Sequence, residues 1–228
     1  MSIKKQVVLV RTCHHGKTTE HLHTWAEDLK ESFEENGWTV TDCESDMATR
    51  EPVEKALAAT KPGSVFVFYG HGGEDCLIGQ DKVAVYDTKN VMSLHDCKVY
   101  VVACNTTQEL GPFTVEHGAA SVYFGYAEKI EAKLRHRDRR GEYVTKPMRI
   151  LGRCVNSGMQ AWIARPELTA AEVKQRMLDI YDYWILYYSG RNGPGIGNRW
   201  ANEFSRNLLH NREALKLCGD EQARLDHT

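Results

Sequence analysis

The stretch Val65-Phe66-Val67-Phe68-Tyr69-Gly70-His71-Gly72-Gly73 constrains the fold of this chain more than any other. Its five successive apolar residues, bounded by Pro62-Gly63 and Gly70, leave no polar face for water, so they predict a strand buried on both sides. Such a strand belongs to a parallel sheet covered by helices. It delivers His71 to its carboxyl end, the edge at which open α/β sheets hold ligands and chemistry. Val99-Tyr100-Val101-Val102-Ala103 reads as a second strand of the same kind and runs into Cys104. The sequence therefore poses one question, whether His71 and Cys104 meet.

The rest of the chain alternates. Val7-Val8-Leu9-Val10 predicts a first strand over residues 6–11. Leu22, Trp25, Ala26, Leu29 and Phe33 then recur at helical spacing until Asn36-Gly37, a left-handed stop. Residues 38–43 predict a second strand, and Thr49 a cap for a helix through Val53, Ala56 and Leu57. Leu77-Ile78 and Val83-Ala84-Val85 predict a small hairpin beside the sheet. After the Cys104 strand come a helix over 108–116 and a strand over 120–126. Helices follow over 148–164, after the capping box Thr169-Ala170-Ala171-Glu172, and over 199–209. Residues 214–220 fit either an extension of the last helix or a closing strand.

A length of 228 residues suits one α/β domain. The net charge of -2 gives no general pull toward nucleic acid or an anionic membrane. No apolar run approaches the roughly 20 residues that span a bilayer, and the start does not read as a signal peptide, so a cytoplasmic protein is expected. The seven cysteines hold no C-x-x-C pair, and in a reducing compartment most should be small buried hydrophobes.

Thiol-dependent acyl transfer needs a sulfur nucleophile, a base or acid beside it, and donors for the developing oxyanion. Adjacent strands ending in His71 and Cys104 supply the first two. Glycines flanking His71 let backbone approach a substrate carbonyl, which makes the Gly72 and Cys104 N–H groups the natural oxyanion donors.

With these residues in place the sequence resembles the caspase-like cysteine peptidases, within them the CHAT and gingipain-like branch. The resemblance is carried by residues 65–72, by residues 99–104, by His117-Gly118-Ala119-Ala120-Ser121-Val122-Tyr123-Phe124-Gly125, and by Leu215-Lys216-Leu217-Cys218-Gly219-Asp220. It implies a single peptidase domain over residues 1–228 with a three-layer α/β fold: a mostly parallel sheet of about six strands between helices, with the chain's end as a strand. It further implies a His71–Cys104 dyad acting on protein or peptide substrates, with no metal and no organic cofactor. Asn105 follows the cysteine where caspases carry Gln-Ala-Cys-x-Gly, and His71 precedes Cys104 by 33 positions rather than the roughly 50 of caspases, so cleavage after aspartate is not implied. Many relatives accept a basic residue through a pocket carboxylate. Asp42, Glu44, Asp46, Glu74 and Asp75 lie near predicted carboxyl-end loops and are the candidates.

Other readings stand beside this one. Cys76 and Cys97 are reserve nucleophiles. Cys13-His14-His15 with His21 and His23 has no structural zinc spacing. Gly16-Lys17-Thr18 resembles a P-loop, but Arg11 stands where its first glycine is required, which leaves nucleotide binding as a lesser alternative. A non-enzymatic α/β sensing or scaffold module of the same fold is the rival from another class. Caspase-like peptidases tend to be held inactive, so a regulatory partner or self-association is expected. The basic segment 128–146 reads as a solvated loop open to processing or docking.

Overall fold

The computed structural model describes residues 5–13, 17–132, 146–190 and 199–225. Along the chain come β1 (Gln6–Arg11), α1 (Lys17–Glu35), β2 (Thr39–Glu44), α2 (Arg50–Ala58) and β3 (Val65–Tyr69). Three short strands follow, β4 (His71–Gly72), β5 (Cys76–Ile78) and β6 (Ala84–Asp87), then β7 (Lys98–Val102), α3 (Leu110–Glu116) and β8 (Val122–Tyr126). The last part holds α4 (Lys146–Ala164), α5 (Ala170–Ser189), α6 (Arg199–Ala214) and β9 (Leu215–Gly219).

Six strands form the central sheet in the order β2-β1-β3-β7-β8-β9. All neighbours are parallel except β9, which runs antiparallel to β8. This is the three-layer, mostly parallel α/β architecture expected, and the ambiguous terminus is a strand. β4, β5 and β6 make a second, antiparallel sheet that includes the expected hairpin and adds His71 itself as an edge residue.

β3 sits between β1 and β7, and each of its residues is buried. The pleat sends alternate side chains to opposite layers. Val65, Val67 and Tyr69 join a core built with α1, α4, α5 and α6, while Phe66 and Phe68 join a second core with α2, α3 and the small sheet. A run with no polar alternation is what two covered faces require.

Local chemistry sets the element ends. Past α1, Gly37 takes φ +77 while its N–H donates to Glu34 O at 3.0 Å and Trp38 N–H donates to Phe33 O at 3.1 Å. That paired closure satisfies two terminal carbonyls, and a glycine holds the left-handed position at little steric cost. At α5 the capping box forms as the sequence predicts, with Glu172 N–H on Thr169 Oγ1 at 3.3 Å and Thr169 N–H on Glu172 Oε2 at 2.8 Å. Thr49 precedes α2 but caps none of its N–H groups; its hydroxyl donates to Asp46 O at 3.3 Å. The short 3₁₀ turn Ser45–Met47 brings a competing acceptor next to it.

Asn156 of α4 joins three elements. Its Oδ1 accepts from the Tyr69 hydroxyl on β3, and its Nδ2 donates to Trp25 O on α1 at 2.7 Å. All three residues are buried. Asn156→Leu keeps the branched shape but strands the buried Tyr69 hydroxyl, at a cost of about 1–3 kcal/mol, and leaves Trp25 O with its intrahelical donor alone. We expect a loss of about 1–3 kcal/mol in urea unfolding with an unchanged m-value; a midpoint like that of the native chain would show that the joint adds nothing.

Candidate active site

In the β3–β7 ladder Tyr69 stands opposite Val102, so His71 and Cys104 each lie two residues beyond a matched pair. Gly70 N–H continues the ladder by donating to Val102 O at 3.3 Å. Parallel neighbours run about 4.8 Å apart, and this register brings both side chains to one place on the carboxyl edge. They line a cleft of about 170 Å³ together with Leu22 and Trp25 of α1, Gly70, Val102 and residues 129–132.

His71 is exposed and opens β4. Gly73 N–H donates to Cys76 O at 2.9 Å, which makes Gly73–Cys76 a hydrogen-bonded pair and the next pair, Gly72–Leu77, a non-bonded one. Alternation in the antiparallel ladder therefore turns the Gly72 N–H away from β5. The turn after Cys104 packs over the α-carbon of Gly72: a Cβ at position 72 would fall 2.7 Å from the Cys104 carbonyl oxygen and 2.6 Å from Thr106 Cγ2. Only glycine permits so close an approach. Leu110 N–H donates to Glu74 O at 2.7 Å, tying the two loops together again. Asn105 has φ 64, and an asparagine tolerates the left-handed turn that ends the Cys104 strand better than most side chains.

Cys104 Sγ accepts a hydrogen bond from Ile130 N–H at 3.4 Å. Burial pushes its thiol pKa up; Ile130 N–H and the Lys129 charge pull it down, and Glu131 adds to the rise. Residues 127–132 are laid against this site by bonds to the end of the chain. Ala127 N–H donates to Ala214 O at 2.8 Å, and His210 Nε2 meets Lys129 O at 2.9 Å. Asn211 accepts from Glu131 N–H at 2.7 Å and donates to Glu131 O at 2.9 Å. The sequence reading placed 128–132 in a solvated loop, whereas residues 129–132 form a wall of the cleft. The mixture of Lys129, Ile130, Glu131 and Ala132 held no period to signal that, and Asn211 carried no signal at all. The remainder of the expected basic loop, 133–145, lies outside the described residues.

None of the candidate pocket carboxylates lines the cleft. Asp42 is taken up by Arg11, whose Nε and Nη2 bind its two oxygens at 3.0 and 2.7 Å, and by Lys30 at 3.1 Å. Arg11, 2% exposed, also binds Glu27 and, at 2.5 Å, Glu44, which in turn meets His23 Nε2 at 3.1 Å. Asp46, Glu74 and Asp75 are exposed. The carboxylate that does line the cleft is Glu131.

The reserve cysteines stand apart from it. Burial raises both thiols to about 11, helped at Cys76 by a bond with Asp75 and opposed at Cys97 by Lys98. His14, His15 and Gly16 lie outside the described residues, among which no three His, Cys, Asp or Glu side chains gather as metal ligands.

No protein-family model and no curated protein matches the chain. Among solved structures, that of gingipain R, described as an Arg-specific cysteine proteinase, matches with a TM-score of 0.59 and 12% identity over 96% of this chain. The chain spans 47% of the length of that one. The likeness is therefore one of fold.

Gly72→Ala tests the packing of the two loops. Its methyl meets backbone as well as side chain, so the turn must move, at about 1–3 kcal/mol. We expect a lowered thermal midpoint together with a changed rate of Cys104 alkylation; native values of both would place the loops further apart than described.

Proposed function

We propose that the chain is a cysteine endopeptidase with His71 and Cys104 as its dyad. The observation that carries this reading is the matched register of β3 and β7, which sets both side chains on one cleft at the carboxyl edge. In the reaction the Cys104 thiolate attacks the substrate carbonyl carbon and forms a tetrahedral oxyanion. The Gly72 and Cys104 N–H groups donate to that oxyanion, and His71 gives a proton to the departing amine. Water, with His71 now accepting its proton, attacks the acyl carbon, and the thioester C–S bond breaks to release the carboxylic acid and return the thiolate. The fold shared with gingipain R supports the assignment. Membership of the CHAT branch rests on the sequence motifs alone.

For substrate preference we infer a basic residue at the cleavage site, read by Glu131, the carboxylate that lines the cleft beside Cys104. The description of gingipain R as Arg-specific agrees with this. A regulatory partner or self-association fits the resting electrostatics, because burial holds Cys104 toward the unreactive thiol at neutral pH. Among the described residues no helix is long and apolar enough to cross a membrane.

Cys104→Ala and His71→Ala should each lower peptide cleavage by about 10³-fold or more while leaving the unfolding midpoint near native. Cleavage that persists in Cys104→Ala would end the dyad assignment. Absence of cleavage from the native chain under every activating condition, with Cys104 labelling indifferent to His71, would favour the scaffold reading. In a peptide library, Arg and Lys at the cut position should raise kcat/KM, and Glu131→Gln should remove about tenfold of that advantage without affecting apolar cut positions. Equal rates for all cut residues would dismiss the basic preference.

A further inference from the structure

Asn211 is fully buried on α6, and both ends of its amide are spent on the backbone of one residue in another segment. Glu131 N–H donates to its Oδ1 and Glu131 O accepts from its Nδ2, which fixes residue 131 at two points. The preceding N–H, that of Ile130, serves a different neighbour, the Cys104 sulfur at 3.4 Å. Successive N–H groups of this segment thus join the last helix on one side to the sulfur on the other. His210 and Ala214 hold its backbone at Lys129 and Ala127 through one group each, whereas Asn211 fixes Glu131 through both.

We propose that Asn211 is a positioning residue for Cys104: by clamping Glu131 it keeps the Ile130 N–H against the Cys104 sulfur and so governs the reactivity of that sulfur. The idea rests on the reading of Cys104 as the nucleophile, and it adds a residue that no motif marks. An N–H directed at sulfur favours the thiolate over the thiol. The influences that pull the Cys104 thiol down, Ile130 N–H and Lys129, both sit on the clamped segment, against the larger effect of burial and the opposing charge of Glu131. His71 shares the cleft from β4. Loss of the clamp releases the Ile130 N–H and Lys129, whose lowering effects outrank the rise due to Glu131, while Leu22, Trp25 and Val102 still cover the sulfur's side of the cleft.

The test follows Cys104 alkylation by iodoacetamide against pH in the full chain, read at each cysteine by mass spectrometry. Asn211→Leu should move the Cys104 midpoint up by about one pH unit. At neutral pH its rate should fall about threefold, because about tenfold less thiolate is partly offset by the greater nucleophilicity of a more basic sulfur. Ile130→Pro removes the donor itself and should reproduce that shift. A merely structural loss would do the opposite and speed labelling, most of all at buried Cys154 and Cys97. The native chain supplies a test that needs no variant: the Ile130 amide resonance should track the Cys104 titration. An unshifted midpoint in a folded variant, faster labelling, or an Ile130 amide indifferent to that titration overturns the proposal. These readouts need no peptide cleavage, so a native chain that cuts nothing yet labels as described would defeat the peptidase reading and leave the clamp standing.

Discussion

Tyr69 opposite Val102 in the β3–β7 ladder is the pairing on which the site depends. A slip of one residue would displace His71 from Cys104 by about 3.3 Å and reverse every side chain of β3 between the two layers. Where one face meets water, polarity alone forbids such a slip. Here both faces are buried, so size has to do it. Phe66 and Phe68 fit beside α2, α3 and the small sheet, where Phe66 meets the Tyr86 ring at 6.0 Å, and Tyr69 needs the acceptor that Asn156 offers on the other side. Exchanging the layers would take the Tyr69 hydroxyl away from that acceptor.

Three side-chain amides join separate segments of this molecule, and two of them, Asn211 and Gln80, do so by pairing with both backbone groups of one residue. Asn156 ties β3 to α1, Asn211 ties α6 to residue 131, and Gln80 holds Cys13 by accepting from its N–H at 2.7 Å and donating to its carbonyl at 2.9 Å. Irregular backbone at a sheet edge lacks ladder partners, and its polar groups must be satisfied by other means. An amide carries donor and acceptor a fixed distance apart and can replace one rung of a ladder. One such amide, Asn211, holds a wall of the cleft in this way, through both backbone groups of Glu131.

Much of the fold was legible because its signals are local. The apolar runs of β1, β3 and β7, the stop at Gly37 and the capping box at Thr169 each need only a few neighbouring residues. Thr49 misled for the same reason, since the acceptor that claims its hydroxyl belongs to a 3₁₀ turn with no clear signature. The pair His71 and Cys104 could be named from strand order; its bounding wall could not. Ile130 reaches Cys104 from 26 positions away and Asn211 reaches Glu131 from 80, and nothing local encodes contacts at such separations. The carboxylates were named from their loops, but the counter-ion of Asp42 is Arg11, on the neighbouring strand, and that pairing appears only once the sheet is assembled.

The Arg11 cluster has a consequence for which residues this chain can tolerate. The guanidinium engages Asp42 through two nitrogens while also reaching Glu27 and Glu44, a planar, several-sided grip that a lysine, with one compact ammonium group, does not reproduce. The substitution usually thought mildest would leave carboxylates crowded around a weaker partner at the end of β1, beside β3, the strand that leads into His71. At position 11, exchanging one cation for the other is therefore not a conservative change.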